Sequence, residues 1–308
     1  MAMQHVTDSM IDALVAPAQA QAALAEAFAA FGRGEAAVQA RERTEASGVK
    51  LSTLGAVIPG QGVAGAKVYT TIGGRFSFVI LLFSATSGEP LAAFDAAAIT
   101  RLRTAACSVL AARHLARPES SVLALLGLGV QGQAHARQFA QAFRLDRICV
   151  YSPHLEPARV QALQVECGVP VQACSAAEAV AQADLVVTAS RSREPLFDGR
   201  LLKPGSFVAA VGSSLPTTRE LDDSALARAS VVAVEWCPQS LQEAGDLVLA
   251  DPAALPLGKV VELSALVLGH TPGRRSADEI TIYKSVGIGL QDVALAGLAW
   301  RRLKEGAA

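Results

Sequence analysis

Apolar residues recur at helical spacing through residues 7–31, with Leu24, Phe28 and Phe31 on one face and Gly32 and Gly34 closing the run. From 35 to 95 the pattern changes to β-branched and aromatic stretches, VKLSTLGAVIP, AGAKVYTTI and RFSFVILLFSATSGEPLAAF, broken by Gly, Pro and Ser. Such runs predict an antiparallel sheet with turns. Helical spacing returns in LRTAACSVLAARHLARP, which places Ala106, Val109, Leu110 and Leu115 on an apolar face and stops at Pro118. Beyond Ser121 short apolar runs at 121–126, 147–151, 169–173, 184–189, 206–211 and 230–235 alternate with helical segments. Continuous apolar runs suit strands buried on both faces, so this half predicts a doubly wound parallel α/β sheet. The tail DEITIYKSVGIGLQDVALAGLAWRRLKEG reads as a strand end or loop followed by a long helix ending in Arg301, Arg302 and Lys304.

Composition narrows the classes. A chain of 308 residues is past the size at which a single core usually splits. Although 51% of residues are hydrophobic, only 5% are aromatic, which favours Ala-rich helices on sheets over a membrane protein. No stretch of 18 uncharged apolar residues predicts a transmembrane helix. The N-terminal MAMQHVTDSMIDAL lacks a basic region followed by an apolar one, so a cytoplasmic protein is expected. A net charge of −1 with both signs scattered gives no nucleic-acid footprint. Five cysteines without a CxxC pair read as reduced thiols, and five dispersed histidines predict no metal site.

The chemistry concentrates in LALLGLGVQGQAHARQFAQAF, where an apolar strand meets glycines and then a helix. Gly127 permits the tight turn, Gly129 lets backbone approach a pyrophosphate, and Gly132 lets the helix pack closely. Amides at the helix start then face the phosphates. Glycines in that pattern also serve ordinary corners, but a strand before, a helix after and alternation beyond favour a dinucleotide. The second strand, RICVYSPHL, ends at Ser152 rather than at an acid, so nothing there repels a 2′-phosphate and the cofactor leans to NADP, although no arginine stands beside it.

LRTAACSVLAARHLARPES, LLGLGVQGQAH, ADLVVTAS, AVGSSLPTTRELDD, EAGDLVLA and TIYKSVGIGLQD, taken in order, resemble the ornithine cyclodeaminase/mu-crystallin family. The resemblance implies a homodimer of two-domain subunits: a substrate and dimerisation domain over 1–118, a Rossmann-type NAD(P)-binding domain over 119–276, and a C-terminal segment, 277–308, returning to the first domain. The first domain is then a discontinuous α+β unit. Residue by residue, the carboxylate-binding arginine matches Arg43, with Arg41 two positions away; the active-site lysine matches Lys67, and the RTAA arginine is Arg103. Thr104 resembles a cofactor contact, Val130 and Gln131 match the dinucleotide turn, and Thr188 and Val211 match strand ends on the cofactor side. Ser285 and Val286 match the segment over the cofactor, Val286 also on the substrate side.

The residue types suit the implied chemistry. An arginine fork grips a carboxylate bidentately, and a buried lysine can polarise a C=N group or pass a proton. Taken alone, Lys67 also reads as a solvated edge lysine and Arg103 as a surface helix residue. Cyclodeaminases of the family carry an aspartate where this chain has Ser214, whereas its mu-crystallin-like members, which resemble ketimine reductases, also carry serine there. Losing ammonia and closing a ring moves several protons, for which a carboxylate is the natural carrier; reducing an imine needs fewer. The sequence therefore points to NAD(P)H-dependent reduction of a small imino acid, Δ1-pyrroline-2-carboxylate or Δ1-piperideine-2-carboxylate, with Lys67, Arg103 and Ser214 at the reacting centre. Other readings stay open: ornithine cyclodeamination with Asp246 or Glu220 replacing the aspartate, alanine dehydrogenase-like amination, or non-catalytic binding of NADP and a small molecule.

Overall fold

The computed structural model describes residues 3–306. It divides into two compact units, one of Met1–Cys107 with Gly287–Ala308 and one of Ser108–Val286. The two units meet along the chain at 107/108 and 286/287.

The first unit holds a seven-stranded sheet, with β1 (Gln4–Val6), β2 (Ala37–Val38), β3 (Glu42–Ala46), β4 (Val49–Ile58), β5 (Val63–Ile72), β6 (Arg75–Ser84) and β7 (Pro90–Asp95). Its order is β1-β7-β6-β5-β4-β2, with β3 also on β4; only β1 pairs in parallel. The helical stretch expected over 7–31 is two helices, α1 (Asp8–Leu14) and α2 (Pro17–Gly32). Pro17 explains the break: it cannot donate within a helix and holds Ala16 extended, while suiting the first turn of α2. Leu24 and Phe28 of α2 are completely buried, and Phe31 is partly so. The C-terminal helix (Gly289–Gly306) packs against α2, β4, β5 and β6.

Registers give the sheet two unlike faces. Leu54, Lys67, Ile80 and Phe94 lie opposite one another across four strands, and all four are buried. Residues one position along point the other way. That reverse face carries Leu51, Val57, Val79 and Phe83, each more than a third exposed, with Ala64, Ala66 and Val68 between them.

The second unit is an eight-stranded, wholly parallel sheet. Its strands are β8 (Val122–Leu126), β9 (Arg147–Tyr151), β10 (Val171–Ala173), β11 (Leu185–Thr188), β12 (Phe207–Ala210), β13 (Ala229–Val234), β14 (Val260–Glu262) and β15 (Ile280–Lys284). The order β10-β9-β8-β11-β12-β15-β13-β14 reverses direction between β8 and β11, the switch point at which such sheets bind ligands. The stretch expected as a strand end or loop is β15, an interior strand buried at every residue. Its sequence ITIYK alternates too little to announce a partner, and only insertion between β12 and β13 completes its hydrogen bonding. A helix α3 (Ala97–Leu115) spans the boundary at residue 107 and buries Ala106, Val109, Leu110 and Leu115.

Candidate active site

Strand registers align one edge of the parallel sheet. Leu126 lies opposite Tyr151 and Thr188, Thr188 opposite Ala210, and Ala210 opposite Lys284. Gly127, Ser152, Val211 and Ser285 therefore follow the strand ends on the same, carboxyl, edge as the expected nucleotide site. The turn itself is tight. Gly127 has φ +108°, and a Cβ at Gly132 would sit 1.9 Å from the Gly127 carbonyl oxygen. Gly129 caps helix α4 (Val130–Ala142), and a Cβ there would meet nothing within 4 Å. Helix α4 therefore starts beside open space, where the amides of its first turn fit a pyrophosphate. Val130 is 64% exposed at this helix start. Beneath the turn, His135 bridges the Gln131 carbonyl oxygen at 2.7 Å and the Ser108 hydroxyl at 2.9 Å.

Further along the edge, side chains serve the loops. Thr188 is completely buried and donates its hydroxyl to Glu220 Oε2 at 2.8 Å. Glu220 also accepts from the Ser190 amide and hydroxyl and the Gly212 amide, at 2.7–2.8 Å. Burial pushes the Glu220 carboxyl above its ordinary range, against the opposing charge of Lys284. Asp246 Oδ1 accepts from the amides of Glu220 and Leu221 at 2.6 and 2.8 Å, and its Oδ2 pairs with Lys284 Nζ at 2.7 Å. Lys284 also donates to the Ser213 carbonyl oxygen at 2.7 Å. This buried network fixes the 212–220 loop on which Ser214 is half-exposed. Ser285 and the Val286 amide donate to Glu235, at 2.5 and 3.3 Å, anchoring the end of β15. Asp246 and Glu220, the acids that could replace the missing aspartate, are both at 0% exposure and committed to holding a loop.

In the first unit the expected Lys67 and Arg103 come together around a residue the sequence reading missed, Asp292. Lys67 Nζ lies 2.8 Å from both Asp292 oxygens, and Arg103 Nε lies 3.4 Å from Oδ1. Exposure is 2% for Lys67, 6% for Arg103 and 0% for Asp292, so neither cation is a solvated surface charge. Gln291, beside Asp292 on the C-terminal helix, accepts from Arg103 Nη1 at 2.9 Å and donates to Cys107 Sγ at 3.0 Å, which fixes the guanidinium plane. The Phe78 ring lies 5.5 Å from Lys67 Nζ. Desolvation outweighs the attraction of Asp292, and Arg103 and Arg41 add repulsion, so the Lys67 ammonium titrates at about 7.

Arg41 Nη2 donates to the Gly287 carbonyl oxygen at 2.7 Å, and its charge reaches Lys67. Arg43, half-buried on β3, lies opposite Ser52 and thus on the Lys67 face of the sheet. Thr104 is buried on α3 of this unit, its hydroxyl donating to the Thr100 carbonyl oxygen at 2.7 Å. Arg191 and Arg193 are exposed. Among the described residues no group of three or more His, Cys, Asp or Glu could hold a metal ion, and no helix is long and apolar enough to cross a membrane.

A parallel sheet with a glycine turn at its switch point, joined in one chain to a buried lysine–arginine–carboxylate cluster, defines a dinucleotide-binding protein of the oxidoreductase type. The chain belongs to the ornithine cyclodeaminase/mu-crystallin family, whose sequence profile matches residues 2–307. It is 33% identical over 269 residues to a Δ(1)-pyrroline-2-carboxylate reductase of Bacillus cereus, covering 86% of this chain and 79% of that one. It is 35% identical over 222 residues to the ketimine reductase mu-crystallin of Mus musculus, covering 72% and 68%. Among solved structures, a probable ornithine cyclodeaminase from Bordetella pertussis superposes with a TM-score of 0.98 at 59% identity, covering 99% and 98% of the two chains. The Δ(1)-pyrroline-2-carboxylate reductase of Thermococcus litoralis, in complex with NADH and L-proline, gives 0.93 at 25% identity, covering 99% of each.

Proposed function

We propose that the chain is a nicotinamide-dependent reductase of small imino acids, with Δ1-pyrroline-2-carboxylate and Δ1-piperideine-2-carboxylate as leading substrates. The observation that carries this reading is the buried pairing of Lys67 and Arg103 around Asp292, in a chain whose 212–220 loop has serine where cyclodeaminases carry aspartate. Relatives named as pyrroline-2-carboxylate, ketimine and iminosuccinate reductases support it. Neighbouring structures holding NADH and NAD+ support a nicotinamide cofactor, and Ser152 inclines the preference to NADPH.

A nicotinamide cofactor held at the turn of Gly127, Gly129 and Gly132 would supply the hydride that reduces the imine carbon. Arg103, with Arg43, binds the substrate carboxylate and so orients the C=N group. Lys67, half-protonated near neutrality, keeps a proton on the imine nitrogen or returns one to the product amine. Asp292 anchors the ammonium between turnovers. Ser214 offers the substrate a hydrogen bond rather than a base, which suits reduction. Thr104, Val130, Gln131, Gly132, Thr188, Val211, Ser285 and Val286 retain their proposed cofactor or substrate-side roles, Thr188 and Ser285 by holding the strand ends.

The test is NAD(P)H oxidation with each cyclic imine and with pyruvate plus ammonia, run beside ammonia release from L-ornithine. Turnover of a cyclic imine without ornithine deamination is expected. Ornithine deamination instead would establish the cyclodeaminase reading, and amination of pyruvate the alanine dehydrogenase-like one.

We also propose a cytoplasmic homodimer formed through the reverse face of the seven-stranded sheet. Monomers seldom expose a contiguous apolar face of this kind, and an archaeal alanine dehydrogenase of the same fold is a dimer. Phe83→Glu is expected to convert a dimer to a monomer in size-exclusion chromatography with light scattering. A monomeric parent protein, or a dimeric variant, would refute this interface.

A further inference from the structure

We propose that Arg159 reads the 2′-phosphate of the cofactor and sets a preference for NADPH over NADH; this rests on the nicotinamide-cofactor reading of the glycine turn. Ser152 follows β9 directly, and the Gly127 amide donates to the Tyr151 carbonyl oxygen at 2.8 Å, so the glycine turn and the end of β9 are tied together. In this fold the residue just past that strand meets the adenine ribose: an acid there takes the 2′-hydroxyl, and an arginine nearby accommodates a 2′-phosphate. Neither an acid nor an arginine stands at 152–154, which read Ser-Pro-His.

The structure supplies the arginine from the following helix, Pro157–Cys167. Arg159 reaches back from its first turn, and its Nη2 donates to the carbonyl oxygen of Leu128, which lies between Gly127 and Gly129. A half-buried guanidinium is thereby fixed at the lip of the turn, near the position where the ribose is expected. One N–H serves Leu128; the remaining donors of the planar fork can take phosphate oxygens. The sequence concealed this because Arg159 lies seven positions beyond Ser152 and only the helix turns it back.

The test uses the full-length protein in binding titrations without substrate, by cofactor fluorescence and calorimetry. Probes are NADPH, NADH and the fragments 2′,5′-ADP and 5′-ADP. The parent protein is expected to bind NADPH more tightly than NADH, and 2′,5′-ADP more tightly than 5′-ADP, with both preferences shrinking as salt rises. Arg159→Gln is expected to weaken NADPH and 2′,5′-ADP roughly 10- to 100-fold and leave NADH unchanged. Arg159→Lys, which keeps the charge without the fork, should fall between. Equal loss for NADPH and NADH would mean that Arg159 only braces the turn, and a parent protein preferring NADH would equally overturn the proposal. Because these readouts involve no imine, NADPH preference without turnover would sink the reductase reading alone, and turnover with NADH preference would sink this inference alone.

Discussion

Lys67→Met is expected to lower kcat/KM for imine reduction about 10³-fold, within the range for removing a positioned proton donor. Nucleotide affinity should not change, because the glycine turn belongs to the other unit. Methionine fills nearly the same volume in a position 2% exposed, and Arg103 remains 3.4 Å from Asp292, so the carboxylate is not stranded without a cation. The pH profile provides the second signature. Burial depresses the Lys67 pKa to about 7, so the ammonium form predominates below that pH and is lost above it. Reduction by the parent enzyme should therefore decline above about pH 7, while oxidation of the cyclic amino acid should rise through the same range. The residual activity of Lys67→Met should lack that inflection. A parent-like rate, or an inflection that survives the substitution, would remove Lys67 from the proton path.

Gly132→Ala is expected to raise the nucleotide Kd by at least about 100-fold, equivalent to some 3 kcal/mol. Its new Cβ would lie 1.9 Å from the Gly127 carbonyl oxygen and 3.0 Å from the carbonyl carbon, neither of which can yield as a flexible side-chain end would. Opening the turn to relieve that clash also lowers the melting temperature. Gly129→Ala separates function from packing. In the structure its Cβ meets nothing within 4 Å, so the melting temperature should hold, yet the methyl occupies space assigned to the pyrophosphate and should weaken binding. Parent-like nucleotide affinity in Gly129→Ala would place the phosphates elsewhere. Melting by differential scanning fluorimetry and affinity by titration distinguish the two variants.

The parallel-sheet architecture was legible because buried strands leave a local trace. Each expected run from 121–126 to 230–235 overlaps a strand of the sheet. Gly127, Gly129 and Gly132 were equally legible, since one turn of chain carries the whole steric requirement. Lys67 and Arg103 drew attention only through family resemblance; their burial depends on the packing of distant elements. Asp292 was invisible for the same reason, because it lies 225 residues from the lysine it pairs with, inside a helix whose own spacing explains an acid in its first turn. The break at Pro17 was missed because apolar residues keep helical spacing across it, and spacing does not reveal which carbonyls lack a donor. Asp246 and Glu220 looked like candidate acids until their oxygens proved to be occupied by the backbone of the loop they support.

The position of β15 also shapes how the protein is made. Strands β12 and β13 are synthesised well before residues 280–284, yet in the finished sheet they have no direct pairing and are joined only through that late strand. A growing chain must therefore hold an open slot, with two rows of unsatisfied backbone groups, until residues 280–284 emerge. The helix that brings Asp292 to Lys67 emerges later still. Stalled or shortened chains that stop before residue 280 would expose both sticky strand edges and carry an unfinished charge cluster. Chaperone demand should consequently persist until residues 280–284 have emerged, and activity should appear only once the helix that carries Asp292 has followed them.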